Sequence, residues 1–302
     1  MINICTVADS NFLLRFLALN RSIENYTKNF KINLLCLDKE IFDKLHNKYE
    51  HINCHYIENL KKIDKDLQIC ENNEPSYEAL NVSSGDKKKA KRIQFIWSLA
   101  AYYCWYCLSE ESWDHVYYFD ADLYFFEDPE ILNDFSDFGS IGLIENRAPY
   151  SPINGKYNVG IIYFKNDKEG LSCSEFWKDC MMDANNKYAK EYGTCGDQKY
   201  LELFPQKYSK VFQLDDYIGH LAPWSVANHT YLLGKISYEG KMQELLFYHF
   251  SNFSYDFQNK SYSYAPRHGL HSAPNNTIAE LYQEYYKTLE ELNENNIWND
   301  SI

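Results

Sequence analysis

His-Val-Tyr-Tyr-Phe-Asp-Ala-Asp-Leu-Tyr-Phe-Phe-Glu-Asp-Pro, residues His115 to Pro129, is the stretch on which the reading of this chain turns. Val116 to Phe119 is a continuous run of β-branched and aromatic residues, the pattern of a strand buried on both faces of a parallel sheet. Asp120 and Asp122 follow, with Ala121 between them. Ligands of open α/β sheets sit at the carboxyl ends of the strands, so the two carboxylates are expected at a crevice. A continuing strand would aim both at one face, and a turn after Phe119 would spread them around one point. Either way both can reach a shared cation. Hard divalent ions prefer carboxylate oxygen, and Mg2+ commonly takes one or two carboxylates and completes its shell with water and phosphate oxygens. Asp-x-Asp also occurs as a solvated strand-to-loop turn in which Asp caps local N–H groups, so the rest of the chain has to decide.

Upstream, Ile2 to Val7, Ile32 to Leu37 and Ile52 to Ile57 read as strands. Between the first two, Phe12, Phe16, Leu19 and Ile23 recur at helical spacing up to about Tyr26; between the second and third, Asp38 to about Tyr49 predicts a helix with Ile41, Phe42 and Leu45 inward. This alternation predicts a parallel α/β half with right-handed crossovers. Lys61 to Asp86 is polar and weakly periodic, and reads as an irregular excursion with one short helix. Ile93 to Leu108, containing Trp97, is a long apolar helix that delivers the chain to the Asp120 strand. Its basic start, including Lys91 and Arg92, opposes the helix dipole and either serves an anion or forms a solvated charge run.

Downstream, Ser140 to Ile144 and Asn158 to Phe164 predict further strands, with Gly160 leaving room for close approach to the backbone or marking a bulge. Gly196-Asp197-Gln198 opens a helix, and by spacing alone Asp197 is an N-cap. Leu245 to Phe250 is an apolar strand carrying His249, and a lone His there is ordinarily a hydrogen-bonded core residue. Lys260 to Asn276 reads as loop, and Ile278 to about Leu292 as an acidic amphipathic helix.

The composition narrows the function. The 302 residues carry 30 basic and 43 acidic side chains, a formal net charge of −13, which argues against nucleic acid or an anionic membrane as main partner. Aromatics reach 17%, with 27 Tyr, a composition that suits carbohydrate contact. There is no leader-like N-terminus and no long uncharged apolar run that would make a transmembrane segment, which predicts a cytoplasmic protein. Nine Cys in apolar settings fit reduced, buried thiols, and Cys104-x-x-Cys107 reads as part of a packed helix rather than a metal or redox site.

Taken together, Ile4 to Asp9, the Trp97 helix, Tyr118 to Phe126, Asn158-Val159-Gly160, Gly196 to Leu201, Leu221 to Trp224 and Tyr248-His249-Phe250 resemble the GT-A nucleotide-sugar glycosyltransferases. The resemblance is to the family 8-like group of glycogenin and the bacterial lipopolysaccharide galactosyltransferases. It implies an α/β GT-A fold with a mixed, mostly parallel central sheet flanked by helices. It also implies a single domain over 1–276, with a nucleotide and metal half over 1–128 and a donor-sugar and acceptor half over 129–276, then a C-terminal helix and tail over 277–302.

The same resemblance implies a metal-dependent hexosyltransferase, using Mn2+ or Mg2+, that moves a sugar from a nucleotide-diphosphate donor, UDP-sugar foremost, to a glycan or other hydroxyl acceptor. Bacterial surface polysaccharide synthesis and retention of configuration are its implied setting and stereochemistry. Asp120, Asp122 and His249 would bind the metal, with Asp120 and Ala121 also beside the donor. Thr6 and Asp9 would meet base or ribose, Arg92 the phosphate or sugar, and Asn158 and Gly160 the donor sugar. Asp197 and Gln198 would hold sugar hydroxyls or flank the reacting carbon. The chain departs from the group after His249, where Phe250-Ser251-Asn252-Phe253 replaces a glycine and a phosphate-contacting Lys, and after Asp9, where Ser10-Asn11-Phe12 replaces an immediate aromatic. Two other readings stay beside this one: a non-catalytic carbohydrate- or nucleotide-binding protein, and a phosphatase with Asp120 as nucleophile. The residues after Asp122 are bulky and the motif lies deep in the chain, against the phosphatase pattern.

Overall fold

A computed structural model of the chain describes residues 1–148, 155–183, 196–232 and 234–295. Its centre is a seven-stranded sheet in the order β3-β2-β1-β4-β7-β6-β8, formed by β1 (Ile2–Ala8), β2 (Phe30–Cys36), β3 (Ile52–Tyr56), β4 (His115–Phe119), β6 (Ile141–Glu145), β7 (Tyr157–Lys165) and β8 (Val211–Gln213). β3, β2, β1 and β4 run parallel; β7 is antiparallel to β4, β6 antiparallel to β7, and β8 parallel to β6. The chain winds outward from β1 to β3 and then returns to the other side of β1 as β4, which opens a crevice at the carboxyl ends of β1 and β4.

The expected elements form for the expected reasons, with informative differences. Asp9 first caps a 3-10 turn, Ser10–Phe12, and helix α1 (Leu13–Glu24) follows with Phe16, Leu19 and Ile23 buried. Phe12, expected on the helix's inward face, stays outside it and is 39% exposed. Helix α2 (Lys39–Leu45) stops before Tyr49, where Asn47 takes a positive φ of 60°. The 61–86 excursion is more ordered than its polarity suggests. Helix α3 (Ile57–Ile63) takes over Ile57, expected at the end of the third strand, and runs into the excursion, and α4 (Lys65–Glu71) and α5 (Tyr77–Val82) lie within it, each too short to show a periodic apolar stripe. Helix α6 (Lys87–Ser109) is capped by Asp86 and buries Phe95, Leu99, Tyr103, Cys104 and Cys107. Helix α7 (Lys168–Met182) packs beside it. The helix expected after Gln198 is a 3-10 turn, Lys199–Leu203, and one α-turn, Phe204–Lys207.

A second sheet, not anticipated, joins β5 (Leu123–Phe125), β9 (Gly219–Leu221), β10 (Thr230–Leu232), β11 (Lys235–Tyr238) and β12 (Lys241–His249). β5 and β12 pair antiparallel with His249 opposite Leu123. The 260–276 segment, expected as loop, contributes β14 (Ser261–Ser263), paired with β13 (Ser254–Asp256), and a 3-10 turn at Pro266–His268.

The C-terminal helix, Asn276–Glu294, buries Leu281, Tyr282, Tyr285 and Leu289 in the same core as β5 and β12, and Tyr285 stacks on Phe250 at 3.9 Å. Burying side chains of this size is worth about 1.5–3 kcal/mol each, so this helix anchors the β5–β12 pair. The tail beyond 295 lies outside the described residues. All eight cysteines among the described residues are free and buried. No helix among them is long and apolar enough to cross a membrane.

Candidate metal and donor site

β4 ends at Phe119, and the two carboxylates sit in a turn rather than on a continued strand: the Leu123 amide donates to the Asp120 carbonyl at 3.2 Å. Both flanks of this turn are tied down. The Asp120 amide donates to the Gly160 carbonyl on β7 at 3.0 Å, and the Phe250 amide donates to the Asp122 carbonyl at 2.9 Å. The second tie and the β5–β12 register bring His249 to the aspartates from far along the chain. Its Nε2 lies 3.0 Å from Asp122 Oδ1 and 3.5 Å from Asp120 Oδ2. The three side chains can each offer one ligand atom within 4.8 Å of the others. Asp122 and His249 are buried, and Asp120 is half-buried with Oδ1 accepting from the Tyr118 hydroxyl at 3.0 Å.

The electrostatics are those of three coupled groups. Burial opposes charge on His249, but Asp122 and Asp120 outweigh it and hold the imidazole above its usual pKa. Burial and the Asp122 charge raise Asp120 although His249 opposes them, whereas His249 overcomes burial at Asp122 and lowers it. Two carboxylate oxygens and an imidazole nitrogen converging in this way form a donor set suited to a borderline-hard divalent cation.

A cleft of about 370 Å³ opens above the triad. Val7, Ala8, Asp9, Phe12, Leu37, Ile96, Trp97 and Ala100 line one part of it, and Asn158, Asp197, Gln198, Trp224, Ser251 and His268 another. Asp9 Oδ2 is paired with Arg92 at 3.0 Å, so the exposed Arg92 sits at the rim through Asp9. Lys91 turns away to Glu74. Asn158 is a hub: its amide donates to Asn146 Oδ1 and Gln198 Oε1, and its Oδ1 accepts from the Gly160 amide at 2.8 Å. Trp224 donates from Nε1 to the Asn146 carbonyl and packs edge-on against His249 at 5.3 Å. Asp197 is half-buried, and burial with the nearby Asp120 charge pushes its carboxyl up to about 7.

Ala121 also lines the cleft, so of the residues singled out in the sequence it gathers Asp9, Asp120, Ala121, Asp122, Asn158, Asp197, Gln198 and His249. Three do not line it: Arg92, which reaches it only through Asp9, and two that are placed differently. Thr6 is sealed in the core with no exposure, its Oγ1 unbonded among the described residues, and the neighbouring Val7 and Ala8 reach the cleft instead. Gly160 does leave room for a close approach, but what approaches is His249: a Cβ there would come 2.8 Å from His249 Nδ1. Sequence reading missed Leu37, Ile96, Ser251 and His268 as cleft residues. Only His268 carried a local signal, a His in a Pro-Arg-His-Gly turn.

No family model matches the chain. The uncharacterized protein YfnD of Bacillus subtilis (strain 168) is 24% identical over 261 residues, spanning 82% of this chain and 77% of its own length. Mouse xyloside xylosyltransferase 1 superposes with a TM-score of 0.52 at 12% identity, covering 86% of this chain and 99% of the other. An active-site variant of LgtC superposes with a TM-score of 0.50 at 12% identity, covering 95% of this chain and 96% of the other. The chain has the GT-A fold. Within this GT-A fold, the triad occupies the crevice between β1 and β4, and the amide hub Asn158 lies on the antiparallel strand beside it.

Proposed function

We propose that this GT-A protein is a metal-dependent glycosyltransferase that moves a sugar from a nucleoside diphosphate donor, with UDP-sugar first among donors, to a hydroxyl of a glycan acceptor. The observation that carries this reading is the convergence of Asp120, Asp122 and His249 in a cleft wide enough for a ligand at the β1/β4 crevice. One solved neighbour, mouse xyloside xylosyltransferase 1, is a sugar transferase, which supports sugar transfer as the chemistry. Retention of configuration, a cytoplasmic site of action and a role in surface polysaccharide assembly belong to the same proposal and rest on the sequence resemblance.

Asp120, Asp122 and His249 would hold the cation, and the imidazole in the set favours Mn2+ over the all-oxygen preference of Mg2+. Bound there, a divalent ion neutralises charge that grows on the diphosphate leaving group. The protein's own residues do the rest. Phe12, Leu37, Ile96, Trp97 and Ala100 form apolar walls for a nucleoside, with the Asp9 carboxylate among them as a hydrogen-bond acceptor. Asn158 and Gln198, locked together through their amides, present polar groups toward the sugar. Asp197, with a pKa near neutrality, is equipped to take the proton of an attacking hydroxyl. In the retaining reading the departing phosphate takes that proton, and Asp197 positions the sugar instead.

The test is thermal stability with UDP, GDP, CDP and ADP, each with and without Mn2+, for wild type and Asp122→Asn. A ligand of the native state raises stability by about 2.7 kcal/mol at a hundredfold excess over its Kd. Stabilisation by one nucleotide only with metal, lost in Asp122→Asn, supports the reading. No shift with any nucleotide refutes it.

A further inference from the structure

The described residues that line the cleft include four carboxylates, Asp9, Asp120, Asp122 and Asp197, and no Lys or Arg. A site that takes a nucleoside diphosphate needs hydrogen-bond donors for the phosphate oxygens beyond a single divalent ion. Two nearby guanidinium groups are engaged elsewhere, and a third, that of Arg267, does not line the cleft. Arg92 pairs with Asp9, and Arg15 donates to the carbonyls of Asn11 and Phe253. Of the two imidazoles in the lining, His249 belongs to the metal group. The other is His268.

His268 is held, not dangling. It closes a 3-10 turn between Ala265 and Leu270, which exchange both backbone hydrogen bonds, and Gly269 supplies the positive φ of 79° that the turn requires. Asn252 Oδ1 accepts from the Arg267 amide at 3.2 Å and ties this turn to the segment just after His249. The His268 ring packs against Trp224 at 4.9 Å, and Trp224 meets His249 at 5.3 Å, so one indole fixes both imidazoles. Nε2 of His268 lies 3.2 Å from Ser251 Oγ, while Nδ1 makes no hydrogen bond among the described residues. This pair offers a hydrogen to an anion in either tautomer. If Ser251 donates to Nε2, the ring carries its hydrogen on Nδ1; if Nε2 donates to Ser251, the hydroxyl hydrogen is free to turn outward.

We propose that His268 and Ser251 form the diphosphate-recognising pair of this site, donating hydrogen bonds to phosphate oxygens of a nucleoside diphosphate bound beside the Asp120–Asp122–His249 group. The assignment rests on the transferase reading above and deepens it. His268 is exposed and distant in role from the folding core, so its replacement is expected to leave the fold intact.

The experiment is calorimetric titration of the full chain in Mn2+ with the best-binding nucleoside diphosphate of the four and its monophosphate, for wild type, His268→Ala and His268→Gln. Loss of a donor to a charged phosphate should weaken the diphosphate by about tenfold or more in His268→Ala, with the monophosphate changed less than twofold. His268→Gln, which keeps an N–H donor, should recover part of the loss. Unchanged diphosphate affinity in His268→Ala, or an equal loss for both nucleotides, overturns the assignment while leaving the transferase reading in place. Absence of nucleotide binding by wild type in metal overturns both.

Discussion

Gly160 and His249 are in contact across the β7–β12 boundary, and an alanine methyl at 160 would stand 2.8 Å from His249 Nδ1 and 2.7 Å from Asn158 Oδ1. The glycine is therefore the seat of the imidazole that points Nε2 at the two aspartates. Gly160→Ala should push the ring out of line and weaken Mn2+ binding by about tenfold, the cost of roughly one misplaced ligand, while the protein stays folded. Titration of Mn2+ against intrinsic tryptophan fluorescence or the melting temperature checks it, and wild-type Mn2+ affinity in the variant would show that His249 is no ligand.

If His249 is a ligand as proposed, a proton and a cation would compete for the same nitrogen. His249 has its pKa raised by Asp122 and Asp120 against the effect of burial, so below that pKa the imidazolium occupies the position a metal needs. Mn2+ affinity should rise from pH 6 to pH 8, with proton release on binding that appears as a buffer-dependent enthalpy. A pH-independent affinity would count against His249 as a ligand.

Asp197 predicts a stability change of the opposite sense to that of most carboxylates. Its folded pKa is pushed up to about 7, above the ordinary value of 3.8, so between these values the folded state binds a proton that the unfolded state has lost. Stability conferred by the neutral carboxyl is present at low pH and drains away as pH rises through 7. Asp197→Asn, in the metal-free protein, should therefore melt higher than wild type at pH 8, with the difference shrinking toward pH 4. An equal shift at both pH values would place the effect elsewhere than in this ionisation.

Arg147 and Asp215 form a buried ion pair. Arg147 Nε and Nη2 each reach Asp215 Oδ2 at 3.2 Å, with Nη2 also donating to the Asp215 carbonyl at 3.1 Å. Burial opposes the Asp215 charge, but His220 and Arg147 hold the carboxyl below its usual pKa. Asp215→Ala strands a buried guanidinium and should cost about 3–5 kcal/mol, read as a drop in the urea midpoint at constant slope. The pair's contribution is present above the ordinary Asp pKa and is lost as pH falls through the lower folded value. A loss below 1 kcal/mol, by the usual measure of exposed pairs, would mean the pair is solvated.

Thr6 makes a contrasting prediction. Its hydroxyl is fully buried and unbonded among the described residues, so Thr6→Val should be neutral or stabilising by about 1 kcal/mol, with nucleotide affinity unchanged. Weakened nucleotide binding in this variant would restore Thr6 to the binding residues.

Local chemistry carried much of this molecule into view. The apolar run before Asp120 and the alternating strand and helix patterns of the first sixty residues are decided by residues close in the chain, and the elements formed in that order, with ends that differ by a few residues. The pair Asp120 and Asp122 was legible because both carboxylates of the proposed cation site lie within one turn. What only the tertiary structure decided involves long-range pairing: the β5–β12 register that sets His249 against the aspartates, the Gly160 gap that seats its ring, and the arrival of His268 beside Ser251. None of these has a local signature, because each depends on which backbone from a distant segment comes to lie beside another. The pKa of Asp197 belongs to the same class, since spacing offers only an N-cap, whereas the burial and the Asp120 charge that raise it come from distant segments. Sequence patterns determine elements through local sterics and periodic burial; a site built from several elements exists only once their packing fixes distances between side chains.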